Sequence, residues 1–252
     1  MANDTIERHC AQIDRCNQRG GRMLSIVDLI EAGTFTRELA AYALAAISQG
    51  ASFMVGALPG GAGKTTVMGA LLNFVPRDVE LLPAVGMASI QEGMGNTAAR
   101  RCYICHEIGP GAYYAYLWNR ELRAYFELAG AGHMLATNLH ADTYTQAQTQ
   151  ICGGNRVPEA SFRRMNLMFF ISLDQDARGL VRRIDTAWES DGENPHRLVY
   201  SAGLSSGGIE SRLVSVVALD IASQTIERMI KGNVRTIEEV RSRVTAARSE
   251  SC

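Results

Sequence analysis

Lysine is almost missing from this chain. Of 25 basic residues only Lys64 and Lys231 are lysines, and the rest are arginines. A position that keeps lysine in such a background needs a compact ammonium rather than a guanidinium, which singles out Lys64. Net charge is missing too. The formal value is −1, so there is no global basic field, and no basic patch with interleaved aromatics is visible; no nucleic-acid partner is expected. No run of about 18 apolar residues occurs, which excludes an ordinary transmembrane helix. The opening MANDTIERHCAQIDRCNQRGG lacks the apolar core of a secretory signal, so a cytoplasmic chain is expected. In that compartment the cysteines at 10, 16, 102, 105, 152 and 252 read as free thiols. What is present is the composition of a folded protein, 46% hydrophobic and 20% charged over 252 residues. At roughly 150 residues per domain that length holds one large or two small domains.

Residues 1–24 read as a short charged lead-in, with one frayed helix, ahead of a domain over 25–252. Residues 25–32 and 36–49 read as helices split by Gly33-Thr34. Then come an apolar strand at 52–57, the turn LPGGAGKTT at 58–66 and a helix stopped by Pro76. A strand is expected at 79–85, a glycine-rich loop at 86–99 and a buried strand at 101–109. A long helix through 129 carries the stripe Tyr114, Trp118, Leu122, Tyr125 and Ala129. Residues 133–140 read as a strand, 141–151 as a helix, 167–173 as a strand, and 179–189 and 197–201 as two strands. Residues 212–219 fit strand or helix. The tail reads as two helices, the last opened by a Thr236/Glu239 capping box. Strand and helix alternating over 50–175 argue for an α/β fold with a mostly parallel central sheet. The close-set strands at 167–219 add an antiparallel edge.

The segment at 58–66 sits between strand and helix, where a phosphate-binding loop belongs. Gly60, Gly61 and Gly63 let successive N–H groups point inward as an anion nest, and the following helix adds the positive end of its dipole. Pro59, Gly60, Gly61, Ala62, Gly63, Lys64, Thr65 and Thr66 form the expected nucleotide-binding stretch. Lys64 is assigned to the β- and γ-phosphates, Thr65 to Mg²⁺ and Thr66 to the α-phosphate. The usual pattern has a glycine where this chain has Leu58.

Hydrolysis also needs a carboxylate at a neighbouring strand end. RCYICHEIG supplies Glu107, a candidate for polarising water or organising Mg²⁺ at the carboxyl edge of the sheet. His140 ends the next strand at the same edge, where an imidazole can bond the γ-phosphate. His133 opens that strand and is read as structural. Arg101, with Arg100 beside it, is the candidate for stabilising transition-state charge.

These segments resemble the nucleotide-binding domain of the type II/type IV secretion and type IV pilus ATPases. GAGHMLATNLHAD is similar to the family's His box, YICHEIG to its atypical Walker B, and RRIDTAWES to its Arg-Arg strand leading to a Glu. The resemblance spans roughly 25–248. It implies a RecA-like P-loop NTPase fold with helices on both faces of the sheet, ATP hydrolysis with Mg²⁺, and a homo-hexamer serving inner-membrane secretion or pilus platform proteins, peripheral to the membrane. It carries catalytic roles onto Lys64, Glu107 and His140, and metal binding onto Thr65 and Glu107. The family's acidic pair after the strand at 79–85 is replaced here by Leu82-Pro83-Ala84, with Glu80 and Glu92 the nearby acids. The stretch GPGAYYAY also lengthens the interval between Glu107 and His133. These departures, with Leu58, motivate an alternative: a nucleotide-binding regulatory or scaffold protein with weakened catalysis. A small-molecule kinase lacks an acceptor lid in the sequence. Cys102-Tyr-Ile-Cys105-His106 spells a haem-attachment motif, but within a core strand; a zinc site from His9, Cys10 and Cys16, with or without Cys102 and Cys105, has irregular spacing.

Overall fold

The computed structural model describes residues 2–17, 20–176, 179–203 and 208–249. Cys252, among the expected thiols, lies outside them. In the described residues β1 (Phe53–Gly56), β2 (Glu80–Pro83), β3 (Arg101–Ile108), β4 (Tyr116–Leu117), β5 (Met134–Leu139), β6 (Leu167–Asp176), β7 (Gly179–Glu189) and β8 (Arg197–Ser201) form one sheet. Its order is β2-β3-β5-β1-β6-β7-β8, with β4 paired to β3. Pairs from β2 to β6 are parallel, as is β3–β4. The β6–β7 and β7–β8 pairs form the expected antiparallel edge.

The helices in chain order are α1 (Ala2–Arg15), α2 (Ile26–Glu31), α3 (Arg37–Ser48), α4 (Lys64–Leu72), α5 (Gly86–Gly95), α6 (Asn119–Gly130), α7 (Tyr144–Gln148), α8 (Glu159–Phe162), α9 (Val216–Lys231) and α10 (Ile237–Ser249). They cover both faces. Phe53 and Val55 of β1 join a core layer with α1 to α4, α9 and α10, whereas Met54 joins a second layer with α5 to α8. A strand buried on both sides has no polar face to show, which is why β1 reads as an unbroken apolar run. β1 lies between β5 and β6, with β2 and β3 beyond β5, so the chain crosses from one side of β1 to the other between β5 and β6 and the strand order switches there. The crevice outside the carboxyl end of such a strand is where open α/β sheets bind ligands.

Several expectations change. Residues 86–99, expected as a loop, contain α5. Its glycines lower intrinsic propensity, but Ile90 buries into the second core layer, and tertiary packing decides. The long helix expected through 129 begins only at Asn119. Ala115 and Asn119 have φ of 55° and 50°, left-handed values that no α-helix continues through. Tyr114 and Trp118 therefore precede α6. The helix expected over 141–151 is α7 followed by a π-helical turn, Thr149–Gly154. Residues 216–219 are helical, the first turn of α9 capped by Ser215 Oγ accepting from the Ala218 N–H. The lead-in helix is packed rather than frayed: His9, Cys10, Gln12, Ile13 and Cys16 are buried.

The capping box of α10 is present, with Glu239 N–H donating to Thr236 Oγ1 and Thr236 N–H to Glu239 Oε2, both at 3.2 Å. From α10, buried Arg241 donates to the carbonyls of Asn73 (2.9 Å), Val75 and Pro76 (3.2 Å), gripping the trailing end of α4. At the antiparallel edge, buried Glu189 accepts from Tyr42 (2.8 Å), Ser211 (2.6 Å), the Arg212 N–H (2.7 Å) and Arg197 (2.8 and 3.0 Å). Burial alone raises a carboxyl; these bonds overrule it and hold Glu189 below its ordinary value.

Candidate functional site

The chain leaves β1 at Gly56, curls through 57–63 and enters α4 at Lys64. Gly61 and Gly63 have φ of 84° and 96°. These left-handed values suit glycine and turn the N–H groups at the start of α4 toward one hollow. Leu58 is absent from the positive-φ residues, so the loop makes no demand for glycine there. Its N–H donates to Asp142 Oδ1 at 2.5 Å. Arg182 of β7 braces the loop from the side, its Nε and Nη2 each 3.3 Å from the Gly61 carbonyl oxygen.

Three chemically active side chains meet at this hollow. Lys64 Nζ donates to the Ala57 carbonyl at 3.2 Å and lies 3.7 Å from Glu107 Oε2. His140 Nε2 is 3.8 Å from the same oxygen. His140 Nδ1 is 3.0 Å from the Leu58 carbonyl and 3.3 Å from Lys64 Nζ. It can donate to the first or accept from the second, not both; the shorter contact favours a proton on Nδ1. Burial pushes the Glu107 carboxyl above its ordinary value, against the opposing pull of Lys64 and His140.

Glu107 is aimed by an irregularity. The β3–β5 register shifts between Cys105 and Ile108. Such bulges re-aim side chains near sites. Asn138 Nδ2 spans the shift to the His106 carbonyl at 2.8 Å. Glu107 Oε1 is buried with no hydrogen-bond partner.

The hollow, about 400 Å³, is lined by Gly60 to Thr66, Glu107, Tyr116 and His140, and by Asn17, Gly20, Arg22, Met23 and Leu24 from the lead-in. Pro59 is not in its lining. A neighbouring slot of about 330 Å³ shares Gly61, Ala62, Gly63 and Thr66 and adds Leu29, Leu180 and Val181. Burial, then the nearby Glu107 carboxylate, raise the Tyr116 phenol.

Arg101 does not reach the hollow. It stands six residues before Glu107, about 20 Å along the strand, and pairs with Glu80 and Glu92, each at 3.6 Å. Arg100 donates to the Gly50 carbonyl at 2.6 Å. His133 is structural: Nδ1 accepts the Arg101 N–H at 3.2 Å, and Nε2 faces the Gly93 carbonyl at 3.0 Å. Cys102 and Cys105 belong to opposite core layers of the sheet, so they cannot hold one haem between them. Cys10, Cys16 and Cys102 share one apolar layer. The sequence reading gave no site role to Arg22, Tyr116 or Arg182; Arg182 entered only as the first arginine of RRIDTAWES, and nothing in 23 arginines marks which ones the fold returns to the loop.

A cation at Thr65 and Glu107 fits the donor chemistry, because Glu107 Oε1 is a buried oxygen lacking a donor. Among the described residues no three His, Cys, Asp or Glu side chains cluster as a metal cage. Such a cation would complete its shell from phosphate and water oxygens, as Mg²⁺ does.

Strand order, the loop after β1 and helices on both faces define the class: a mixed, mostly parallel sheet in the RecA-like α/β P-loop NTPase arrangement. Among solved structures the chain is similar to the VirB11 ATPase from the Brucella suis type IV secretion system in complex with sulphate. The two are 19% identical, the match covers 58% of this chain and 50% of that one, and the TM-score is 0.41. This chain thus spans about half the length of that one, and the class rests on the topology and loop rather than on the likeness. No family model and no curated protein matches the chain.

Proposed function

We propose that the chain binds ATP with Mg²⁺ in this hollow and hydrolyses it, working as a hexameric ring that drives a secretion or pilus platform at the inner face of the membrane. One observation carries the ATPase reading. An ammonium, a carboxylate and an imidazole from α4, β3 and the end of β5 stand within 3.8 Å of one another beside the Gly60–Thr66 loop. The motif resemblance supports the motor class, and no helix among the described residues is long and apolar enough to cross a membrane.

In this reading the N–H groups at the start of α4 hold phosphate oxygens. The apolar slot beside Leu29, Leu180 and Val181 takes the base. Lys64 leaves Glu107 for the β- and γ-phosphates. Glu107, without its cationic partner, then has greater proton affinity. A water oxygen forms the new bond to the terminal phosphorus, its proton passes to Glu107, and the bond to the leaving ADP oxygen breaks. His140 bonds a terminal phosphate oxygen. Thr65 would hold Mg²⁺, which neutralises phosphate charge when bound; Glu107 would join it as a ligand only where it organises the metal instead of taking the proton.

A second reading, binding with little hydrolysis, is favoured by one observation. Among the described residues Glu107 is the one carboxylate lining the hollow, while Glu80 and Glu92 are spent on Arg101.

Phosphate release and nucleotide affinity, measured on the wild type and Lys64→Ala, test the site. Loss of both in the variant is expected, and unchanged release sinks it. Fast release in the wild type selects the first reading; tight binding with release no faster than Lys64→Ala selects the second. Light scattering with a non-hydrolysable ATP analogue tests the ring, against which a strict monomer counts.

A further inference from the structure

The segment 109–118, whose first eight residues GPGAYYAY the resemblance treats as extra sequence, ends beside the hollow. β2 pairs β3 only over 101–104. Past that point β4 takes the β3 edge, with Tyr116 in register with Glu107 and Leu117 with Ile108. The His106 N–H donates to the Ala115 carbonyl at 2.8 Å and the Gly109 N–H to Leu117 at 3.2 Å. Neighbours in register on parallel strands point to the same side of the sheet, and the next pair points to the other. Leu117 and Ile108 share the second core layer. Tyr116 and Glu107 both line the hollow.

This placement is held at a cost. Ala115, buried at 1% exposure, and Asn119 both adopt left-handed φ without being glycine. Backbone strain of this kind persists where surrounding structure over-determines it, and it gathers at functional sites. Here Ala115 and Leu117 are buried on either side of Tyr116. The exit is fixed by the Asn119 N–H on Asn155 Oδ1 at 2.6 Å and Arg123 on the Asn155 carbonyl at 2.8 Å. Asn tolerates left-handed φ, so the strain that fixes this half-buried tyrosine lies at Ala115, the buried residue directly before it.

We propose that Tyr116 is a contact residue for the terminal phosphate, its phenolic hydroxyl donating to a phosphoryl oxygen from the β4 wall of the hollow. This rests on the phosphate-site reading above. It gives the 109–118 segment a function: it delivers a neutral donor next to Glu107, where a further cation would compete with Lys64 for the carboxylate.

Tyr116→Phe removes the hydroxyl and keeps the ring, which packs 5.1 Å from Tyr113. In the full chain, turnover of ATP is expected to fall about tenfold or more, the loss of one hydrogen bond to a charged group. Affinity for a non-hydrolysable ATP analogue should weaken, while affinity for ADP stays at the wild-type value. Tyr113→Phe, at an exposed ring outside the hollow, should change none of these. If wild-type turnover is too slow to measure, the split between analogue and ADP decides alone. Wild-type behaviour of Tyr116→Phe overturns the proposal, and so does an equal loss of ADP and analogue affinity or an identical defect in Tyr113→Phe. If Lys64→Ala loses nucleotide while Tyr116→Phe does not differ from wild type, this proposal alone falls. A wild-type chain that binds neither nucleotide brings down the site reading with it.

Discussion

The Lys64 ammonium lies 3.7 Å from Glu107 Oε2, with the two side chains 8% and 9% exposed. A buried pair of this kind is held together by mutual need, since either charge left alone is costly. In the proposed reading phosphate is the competitor that draws the ammonium away from the carboxylate.

Glu107→Gln separates binding from chemistry. The amide keeps the shape and removes both the proposed base and the charge that holds Lys64. Turnover is expected to fall by about a hundredfold or more, within the usual range for a lost general base. Nucleotide affinity should stay or rise, because Lys64 no longer has a carboxylate to leave. Phosphate release and calorimetric titration check this pair of outcomes; undiminished release would move the base to another residue.

Gly56→Ala tests how closely β1 must approach its neighbours. A Cβ at Gly56 would sit 2.6 Å from the Ala141 carbonyl oxygen and 2.7 Å from the Phe170 ring. The carbonyl belongs to the turn carrying His140 and Asp142, and backbone does not swing aside as a side chain does. A loss of about 1–3 kcal/mol is expected, read as a lower melting temperature, with weakened nucleotide binding. A variant that melts and binds like the wild type would show that this turn yields.

Arg241→Ala should cost about 2–4 kcal/mol, because three carbonyl oxygens at the end of α4 lose their donor in a buried setting. Burial holds the Arg241 guanidinium down to about 10, still charged at neutral pH. Urea unfolding measures the change. A midpoint equal to wild type would mean that water replaces the guanidinium.

His9 should make the fold acid-sensitive. Burial, then the neighbouring Arg241 and Arg8 charges, push its imidazole from 6.5 down to about 3. The unfolded chain therefore takes up this proton first. The stability it contributes is complete above 6.5 and is lost as pH falls toward 3. His9→Gln should melt lower than wild type at about pH 7 and lose less between about pH 7 and pH 4. Parallel curves would remove His9 from the acid response.

The sheet and the meeting of Lys64, Glu107 and His140 were legible for one reason. Each residue ends or follows a strand of a parallel sheet, and parallel strands bring their carboxyl ends to one edge. The helical period of Tyr114 and Trp118 misled, since left-handed Ala115 and Asn119 cut the stripe and no propensity marks such a position. α5 was hidden by its glycines and exists through packing. Arg101 opens β3 and so stands at the amino end of the sheet, as His133 does just before β5, away from the edge where Lys64, Glu107 and His140 meet. Arg22 and Arg182 come to the loop by tertiary return, which periodicity cannot register.

The hollow owes one wall to Asn17, Gly20, Arg22, Met23 and Leu24, residues that look dispensable on paper. A shortened version beginning at Ser25 would retain every strand and still present an open-sided vessel. Fragment screens, crystallisation trials or swaps that trim this opening stretch would then be examining a different receptacle from the one the full chain offers.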